Sequence, residues 1–268
     1  MATNDREQVL AVVNGFLASI SDQRPPFLDS QKYILSESLA VLSRPDRLVQ
    51  CTLGVLVTRV EEKLARFYDA GAKSIVDALV EPGPDVWISG RLAAVWSGYA
   101  LSVDGKEMLR GATAITLFKL EDGWKISAIA DDQWNGGEEP PVFVQEVPRE
   151  MIEPCLELSR LSGEERWDGV IDLLLPGSGA THASFPHVPS TLQWPEFVSG
   201  IRETVEKAKP GRVEQKFQDW EGRVCGDMGL VWTPFVVSVD GKVTAQGHTV
   251  FTTLKKDGKW LISGAQDG

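Results

Sequence analysis

The chain has 268 residues, 43% of them apolar, so it can bury a substantial core and fits two compact domains. Its formal net charge of -11 repels phosphate backbones and anionic lipid, which argues against binding nucleic acid or a membrane surface. Three cysteines without C-x-x-C spacing favour neither a disulfide framework nor a structural zinc site. The N-terminus is acidic, and no run of about eighteen apolar residues occurs, so we expect a cytoplasmic protein without a membrane span.

Amphipathic helices are predicted at four places, where apolar residues recur at helical spacing. The first helix carries Val9, Val13 and Phe16 on one face. Asn4 can cap its start, with Glu7 completing a capping box. The four predicted helices cover about 4–20, 53–68 (closed by Gly71), 148–158, and 195 to Pro210-Gly211.

A three-stranded antiparallel meander is predicted after the second helix of each half. Its first strand stops at an Asp-Gly pair, Asp104-Gly105 or Asp240-Gly241, and this dipeptide favours the positive φ angles of a tight hairpin turn. The predicted strands are 92–103, 108–120 and one from Trp124 in the first half, and 230–239, 243–254 and one from Trp260 in the second.

The two meanders are an internal repeat. Residues 93–131 align with residues 229–267 without a gap, and 15 of the 39 aligned pairs are identical. Chance would give about two or three identities at ordinary composition, so the match indicates a duplication. The chain is therefore interpreted as two fused copies of one α+β domain, residues 1–135 and 148–268, joined by a turn-rich linker at 136–147.

Short motifs in the meanders carry a resemblance to a known superfamily. In the first copy they are Trp96-Ser-Gly-Tyr99, Asp104-Gly105, Gly111, Asp122-Gly-Trp-Lys-Ile126 and Ile129-Ala-Asp131. In the second copy they are Trp232-Thr-Pro-Phe235, Asp240-Gly241, Gly247, Asp257-Gly-Lys-Trp260 and Asp267. Helices followed by such a meander resemble the nuclear transport factor 2-like (NTF2-like) superfamily, which includes SnoaL-like cyclases, ketosteroid isomerase and scytalone dehydratase.

This resemblance implies a shape. Each copy would be a cone in which helices and a curved antiparallel sheet enclose one apolar cavity. Many members dimerise through the outer face of the sheet, so the two copies are expected to form a pseudo-dimer within one chain, and a larger oligomer is left open. The strand Leu92-Ala-Ala-Val-Trp96 has no clean polar face, as expected if both of its faces are covered.

Candidate catalytic residues follow from the resemblance. Asp131 and Asp267 close the last strand of each copy, where the family has an Asp, and an Asp in an apolar cone can have a raised pKa and act as a base. Tyr99 is a further candidate in the first copy. Other relatives carry an acid at the positions of Thr113 and Thr249, and a His elsewhere on that strand, but both are missing here.

Candidate ligand-binding residues are mostly aromatic, and aromatic walls with few charges suit a hydrophobic ligand. Thr113 and Thr249 occupy positions where similar dehydratases have polar pocket residues. His182 and His187 lie in 176–190, a Pro/Gly/Ser-rich segment expected as a loop at the cavity mouth. The predicted binding residues are Trp96, Thr113, Tyr33, Trp87, Trp232, Thr249, Trp220 and His182.

The leading hypothesis is a small-molecule enzyme of natural-product type, an isomerase, cyclase or dehydratase that acts on a hydrophobic substrate. No metal-ligand cluster, nucleotide fingerprint or phosphate loop occurs, so neither a metal nor a cofactor is expected. Two alternatives come from other classes, a non-catalytic binder of hydrophobic ligands and a protein-interaction module. Tyr99, Arg110 and the Asp131-Asp132 pair favour the first copy as the functional one.

Overall fold

The computed structural model describes residues 2–21, 24–135, 138–182, 189–209 and 212–268. It divides into two compact units, Met1–Val142 and Phe143–Gly268, which we call domain 1 and domain 2. Each unit packs helices on one β-sheet, so the predicted fold class, two α+β domains in tandem, is confirmed. The division falls inside 136–147, the segment that the sequence suggested as a linker.

Domain 1 is a six-stranded sheet in the order β2-β1-β6-β5-β4-β3. All neighbouring strands are antiparallel except β1 and β6, which run parallel. The elements are α1 (Ala2–Ile20), a 3₁₀ helix (Leu28–Tyr33), β1 (Leu39–Arg44), β2 (Arg47–Thr52), α2 (Leu53–Asp69), β3 (Ile75–Ser89), β4 (Leu92–Val103), β5 (Lys106–Leu120) and β6 (Gly123–Asn135).

Domain 2 repeats this arrangement around the strand order β7-β11-β12-β13-β14-β8-β9, with β10 also paired to β12. The pair β14 and β8 is parallel, as β6 and β1 are in domain 1. The elements are β7 (Phe143–Val144), α3 (Arg149–Gly163), α4 (Trp167–Ile171), β8 (Leu174–His182), β9 (Ser190–Gln193), α5 (Trp194–Ala208), β10 (Val213–Phe217), β11 (Glu221–Cys225), β12 (Met228–Val239), β13 (Lys242–Lys256) and β14 (Lys259–Asp267).

The repeat seen in the sequence is reproduced in the backbone. The bounds of β4 and β12, and those of β5 and β13, differ by the same 136 residues. Ladder irregularities also recur at matching positions, after Leu101 and after Val237. At both predicted hairpins the Asp has φ 50° and the Gly has φ 76°, the left-handed pair that a two-residue turn of this type needs.

The predicted helices form, with local differences at their ends. Val9, Val13 and Phe16 are buried along one face of α1 as expected. The predicted capping box is wrong, because α1 already begins at Ala2 and Asn4 lies in its first turn, where Asn4 Oδ1 accepts a hydrogen bond from Gln8 (3.1 Å). The predicted end of the fourth helix, Pro210-Gly211, lies outside the described residues.

The segment 176–190 differs from its prediction as a loop. Residues 176–182 belong to β8, which pairs in parallel with β14, and β9 begins at Ser190. His182 is therefore the last residue of a strand, whereas His187 lies outside the described residues. The Pro176 and Gly177 positions at the start of β8 favoured the loop interpretation, because such residues usually mark loops.

Each sheet has one face that packs on the domain's own helices, which we call its inner face. In domain 1 the core on this face includes Val95, Leu101 and Ile115, together with residues of α1 and α2. In domain 2 it includes Val231 and Phe251 with residues of α3 and α5. No helix in the described part of the chain is both long enough and apolar enough to cross a membrane.

Candidate functional site

Five polar side chains of domain 1 act on one another electrostatically around its inner sheet face, and we call them the polar cluster. Four of them alternate with core residues along their strands and so point to the inner face. The fifth stands on α2. The members are Arg44 (β1), Lys63 (α2), Asp77 (β3), Tyr99 (β4) and Asp131 (β6).

The parallel pairing of β1 with β6 brings Arg44 to Asp131. Leu42 lies opposite Asp131 in the ladder, so Arg44, two residues on, reaches the same carboxylate from the strand end. Its two terminal nitrogens donate one hydrogen bond to each carboxylate oxygen, the second at 3.3 Å. The side chains are 19% and 13% exposed. Burial raises the pKa of Asp131, while the guanidinium opposes that rise by stabilising the charged form.

Tyr99 has a buried hydroxyl. The Tyr99 ring lies over Gly111, its neighbour on β5, so that Cε1 and Cζ occupy the space where a side chain at 111 would begin. The hydroxyl is buried and makes no hydrogen bond to any described residue. Burial raises the pKa of Tyr99 well above its ordinary value, so the group keeps its proton and can only donate or accept as a neutral phenol.

Asp77 has the second buried polar atom of the cluster without a hydrogen-bond partner among the described residues. Its backbone is fixed to the end of α1, because Ser21 Oγ accepts a hydrogen bond from the Asp77 N–H (2.9 Å). The carboxyl oxygen Oδ1 is buried and has no hydrogen-bond partner among the described residues. Burial, reinforced by the negative charge of Asp131, raises the pKa of Asp77 from 3.8 to about 7, and Lys63 and Arg44 oppose the rise.

Gly111 has no left-handed φ that would itself require glycine. Glycine is needed there because neighbouring atoms fill the space of a side chain. Replacing Gly111 by Ala would drive a methyl group into the Tyr99 ring and the Asp132 carbonyl oxygen, so we expect a loss of about 1–3 kcal/mol in the free energy of unfolding. Gly200, inside α5 with nothing near its would-be Cβ, is the matched control, and Gly200→Ala should stabilise by up to about 1 kcal/mol. Urea denaturation gives the free energy of unfolding of both variants. The same change in that free energy for Gly111→Ala and Gly200→Ala would contradict the steric explanation.

Domain 2 has the same strands around the equivalent site but different side chains at the key positions. The ring of Phe235 lies over Gly247 as Tyr99 does over Gly111, but it carries no hydroxyl. At the ladder position of Asp77 stands Gln215, which is never charged. Asp267 remains, and its Oδ1 lies 2.7 Å from Nδ1 of His182. That hydrogen bond raises the pKa of His182, although partial burial works against it.

The structure brings together some of the residues singled out in the sequence. Thr113 pairs with Asp131 across β5 and β6, and Thr249 pairs with Asp267 across β13 and β14, so both threonines share the inner face with those carboxylates. Tyr33 packs on the domain 1 core. Trp220 packs on the domain 2 core, 5.5 Å from the ring of Phe217.

Three tryptophans from the sequence prediction lie elsewhere. Trp96 and Trp232 alternate with the core residues Val95 and Val231, so they lie on the sheet face opposite the inner one. Trp232 stacks there on His248, with ring centroids 5.1 Å apart. Trp87 pairs with Ala94 and shares the face of Trp96. These three side chains do not surround the polar cluster.

Sequence reasoning missed Arg44, Lys63 and Asp77. Asp77 had a readable signal, since it is a lone charge in the apolar run Ile75-Val-Asp-Ala-Leu-Val80, and a buried carboxylate in such a strand is unusual. No such signal marks Arg44 in the sequence, because its partner Asp131 on β6 lies 87 residues further along the chain. No group of three or more His, Cys, Asp or Glu side chains suited to a metal occurs within the described ranges.

Two surface hollows lie on domain 2, and neither is lined by a residue of the polar cluster or by His182 or Asp267. One is lined by Glu165, Arg166, Trp167, Asp168, Gly169 and Arg202, the other by residues of α3 and β10. Both are open to solvent. The convergence of buried ionisable groups therefore identifies the candidate site better than surface shape does.

Comparison with known proteins gives matches only among solved structures; no protein-family model and no curated protein matches this chain. An NTF2-like protein of unknown function from Shewanella baltica covers 50% of this chain and 97% of its own, with 10% identity and a TM-score of 0.37. An NTF-2 like protein of unknown function from Silicibacter pomeroyi covers 49% and 97%, with 14% identity and a TM-score of 0.36. The protein Aln2 from a Streptomyces species covers 46% and 93%, with 10% identity and a TM-score of 0.39.

The fold itself can be stated from the strand order, the helices on one sheet face and the repeated hairpin residues. Domain 1 presents one meander, β4 to β6, extended by a parallel strand, and domain 2 presents the same meander, β12 to β14, with the same addition. The resemblance seen in the sequence thus holds at the level of the fold. The chain is a tandem pair of domains with the NTF2-like fold.

Proposed function

We propose that domain 1 is an isomerase that moves a proton within a small, uncharged, largely apolar carbonyl compound. The proposal rests on two buried polar atoms that have no hydrogen-bond partner among the described residues, the Tyr99 hydroxyl oxygen and Oδ1 of Asp77. A buried polar atom without a partner costs free energy, and a bound ligand with one acceptor and one acidic hydrogen would satisfy both atoms.

Asp77 is the proton-transfer group in this proposal. A general base works best when its pKa is near the working pH, and the pKa of Asp77 is raised to about 7. Its carboxylate takes a proton from the carbon that lies between the substrate carbonyl and a C=C bond. The electron pair of that C–H bond forms a new C=C bond, and the π pair of the carbonyl moves onto its oxygen. The protonated Asp77 then gives the proton to the far carbon of the original C=C bond while the carbonyl re-forms, so the substrate leaves as its conjugated isomer and the enzyme is unchanged.

Tyr99 stabilises the negative charge that develops on the carbonyl oxygen. Its neutral hydroxyl donates a hydrogen bond, and a donor held in a water-poor site needs little reorganisation during the reaction. Asp131 is less suited to act as the base, since Arg44 binds both of its oxygens. Its charge instead helps to raise the pKa of Asp77. A dehydratase would share the first step, since it also removes a proton next to a carbonyl.

The charges of the polar cluster favour an uncharged substrate. Arg44, the cation that acts on Tyr99, is already paired with Asp131. Burial lowers the pKa of Lys63, which weakens it as a partner for an anionic ligand. Around Tyr99 the inner face carries the apolar residues Leu79, Leu101 and Leu109, and Thr113 next to them is uncharged. Domain 2, with Phe235 and Gln215 in place of Tyr99 and Asp77, lacks both reacting groups.

Exchange of carbon-bound hydrogen in heavy water tests the proposal without knowledge of the natural substrate. The full-length protein is incubated with cyclopentanone, cyclohexanone and tetralone, and proton NMR follows the loss of hydrogen next to the carbonyl. We expect exchange above the buffer rate, slowed about 100-fold by Tyr99→Phe. That variant should fold normally, because domain 2 already carries a phenylalanine over the matching glycine.

A surface variant, Asp46→Asn, serves as the control, since its side chain is 71% exposed in the β1–β2 turn. Exchange that is absent for every ketone, or unchanged by Tyr99→Phe, would contradict the proposed isomerase. Ketones that bind without any exchange would instead favour the non-catalytic binder. Pairing of the two sheets within one chain stays a prediction from the sequence.

A further inference from the structure

Domain 2 holds its own pair of hydrogen-bonded ionisable groups, and neither belongs to the polar cluster. His182 ends β8 and lies directly opposite Asp267 near the end of β14, in the parallel ladder that joins these strands. Nδ1 of His182 and Oδ1 of Asp267 are 2.7 Å apart. The ladder alternation places Asp267 on the inner face with Ala265, and places His182 there with Ala180.

The two domains give the same aspartate different partners. Asp131 is bound by Arg44, a cation at every ordinary pH, and the residue directly opposite Asp131 is Leu42. In domain 2 the position of Leu42 is taken by His182, whose charge changes near neutral pH. Asp131 is thus committed to a fixed ion pair, whereas Asp267 orients an imidazole that can accept and release a proton.

The second ring nitrogen of His182 is available for chemistry. A carboxylate on Nδ1 fixes the proton there in the neutral imidazole and leaves the Nε2 lone pair as an acceptor. Nε2 makes no hydrogen bond to any described residue, and the side chain is 45% exposed, so water and a ligand can reach it. Asp267 is the charged group that acts on this ring.

Two further side chains border the pair on the same face. Thr249 lies directly opposite Asp267 on β13 and is buried. Phe235, on β12 next to Gly247, presents an aromatic ring two residues along from the ladder pair of Thr249. A hydroxyl donor and an aromatic face thus lie beside an oriented base.

We propose that domain 2 is a second, separate site in which His182 acts as the general base for the hydrolysis of a small neutral ester. The net charge of -11 disfavours an anionic substrate, and the Phe235 ring suits a short apolar acyl or alkyl group. Thr249 is placed to donate a hydrogen bond to the ester carbonyl. Asp267 is a positioning residue, since it acts only through the imidazole.

The step balances without any further reagent. Nε2 takes a proton from water while the water oxygen adds to the ester carbonyl carbon, which becomes tetrahedral and carries the negative charge on its oxygen. The C–O bond to the alcohol then breaks, and the imidazolium returns its proton to the departing oxygen. The products are the acid and the alcohol, and His182 is neutral again.

Hydrolysis of 4-nitrophenyl butyrate by the full-length protein tests this site. We expect a rate above that of the buffer, lowered at least 100-fold in His182→Gln. Asp267→Asn should lower the rate about 10-fold and also move the midpoint of the pH–rate profile to lower pH, because Asp267 is what raises the pKa of His182. A merely structural loss would lower the rate at every pH and leave the midpoint in place.

Two controls separate this site from others. His248→Gln removes a histidine that stacks on Trp232 on the opposite face, and it should hydrolyse the ester as the wild type does. Tyr99→Phe, which impairs the domain 1 reaction, should also leave ester hydrolysis unchanged, so failure of either proposal can be recognised independently. Hydrolysis no faster than the buffer, or a His182→Gln variant as fast as the wild type, would overturn the proposal.

Discussion

Replacing Asp77 by asparagine is expected to abolish most of the proton-transfer activity and, at the same time, to stabilise the protein. Asparagine keeps the shape of the neutral carboxyl but cannot accept the proton, so the exchange rate should fall by about 1,000-fold or more. The wild-type rate should rise as the pH passes about 7, where Asp77 ionises, and the variant should lose that rise. Both are measured by hydrogen exchange of the ketones.

The gain in stability should depend on pH in a defined way. Because the pKa of Asp77 is raised from 3.8 to about 7 on folding, ionisation of this group disfavours the folded state progressively between those two pH values. One pH unit corresponds to about 1.4 kcal/mol, so asparagine should add up to about 4 kcal/mol to the free energy of unfolding above pH 7. Near pH 4 the variant and the wild type should be equally stable.

Urea denaturation at about pH 4 and about pH 8 separates this effect from a general change in packing. Asp46→Asn is again the control, and its stability should follow that of the wild type at both pH values because Asp46 is exposed. An Asp77→Asn variant that is less stable than the wild type at the higher pH would show that the carboxylate is well solvated, and the proposed base would lose its basis.

The meanders could be predicted from sequence because their signals are local. The turn pairs Asp104-Gly105 and Asp240-Gly241 sit within a few residues of the strands they join, and the predicted and observed starts of β4 coincide at Leu92. Tyr99 and Asp131 could be named as candidates because both lie on the meander strands that carry the resemblance. Such contacts are close in the chain, so a short window of sequence contains both partners.

Arg44 and Asp77 could not be placed, because their setting depends on pairings between distant segments. Nothing local indicates that β1 adds in parallel to β6, and that pairing alone brings Arg44 to Asp131. The aromatic residues failed for another reason. β4 is apolar on both faces, so alternation does not say which face is inner, and Trp96 was assigned to the wall of a cavity that it does not face.

The duplication shows which parts of the site belong to the fold and which to the chemistry. An aromatic ring lies over a glycine of the neighbouring strand in both domains, Tyr99 over Gly111 and Phe235 over Gly247. The ring fills the space that the missing side chain leaves on the sheet, so this pair belongs to the fold. The hydroxyl of Tyr99 and the charge of Asp77 occur in one copy only. Groups that the fold does not need, but that remain buried at a cost, are the best candidates for function.

Replacing Arg44 by methionine is expected to destabilise the protein more than any other change to the polar cluster. Methionine fills much of the same space, so the main effect is to leave the Asp131 carboxylate partly buried without its partner. Removing one member of such a pair costs about 3–5 kcal/mol, and the two side chains are only 19% and 13% exposed. Arg47→Met, at the first residue of β2 where the side chain is 70% exposed, should cost less than about 1 kcal/mol.

The pH dependence and a double variant identify the cause of that loss. Burial raises the pKa of Asp131, and without Arg44 to oppose it the pKa should rise further, so Asp131 takes up a proton on acidification and the cost of Arg44→Met should shrink. Adding Asp131→Asn removes the unpaired charge, and Arg44→Met/Asp131→Asn should regain at least half of the lost stability at neutral pH. Urea denaturation of the three variants at acid and neutral pH gives these values. A loss below about 1 kcal/mol for Arg44→Met, or no recovery in the double variant, would mean that the pair behaves as an exposed surface ion pair and does not organise the polar cluster around Asp77.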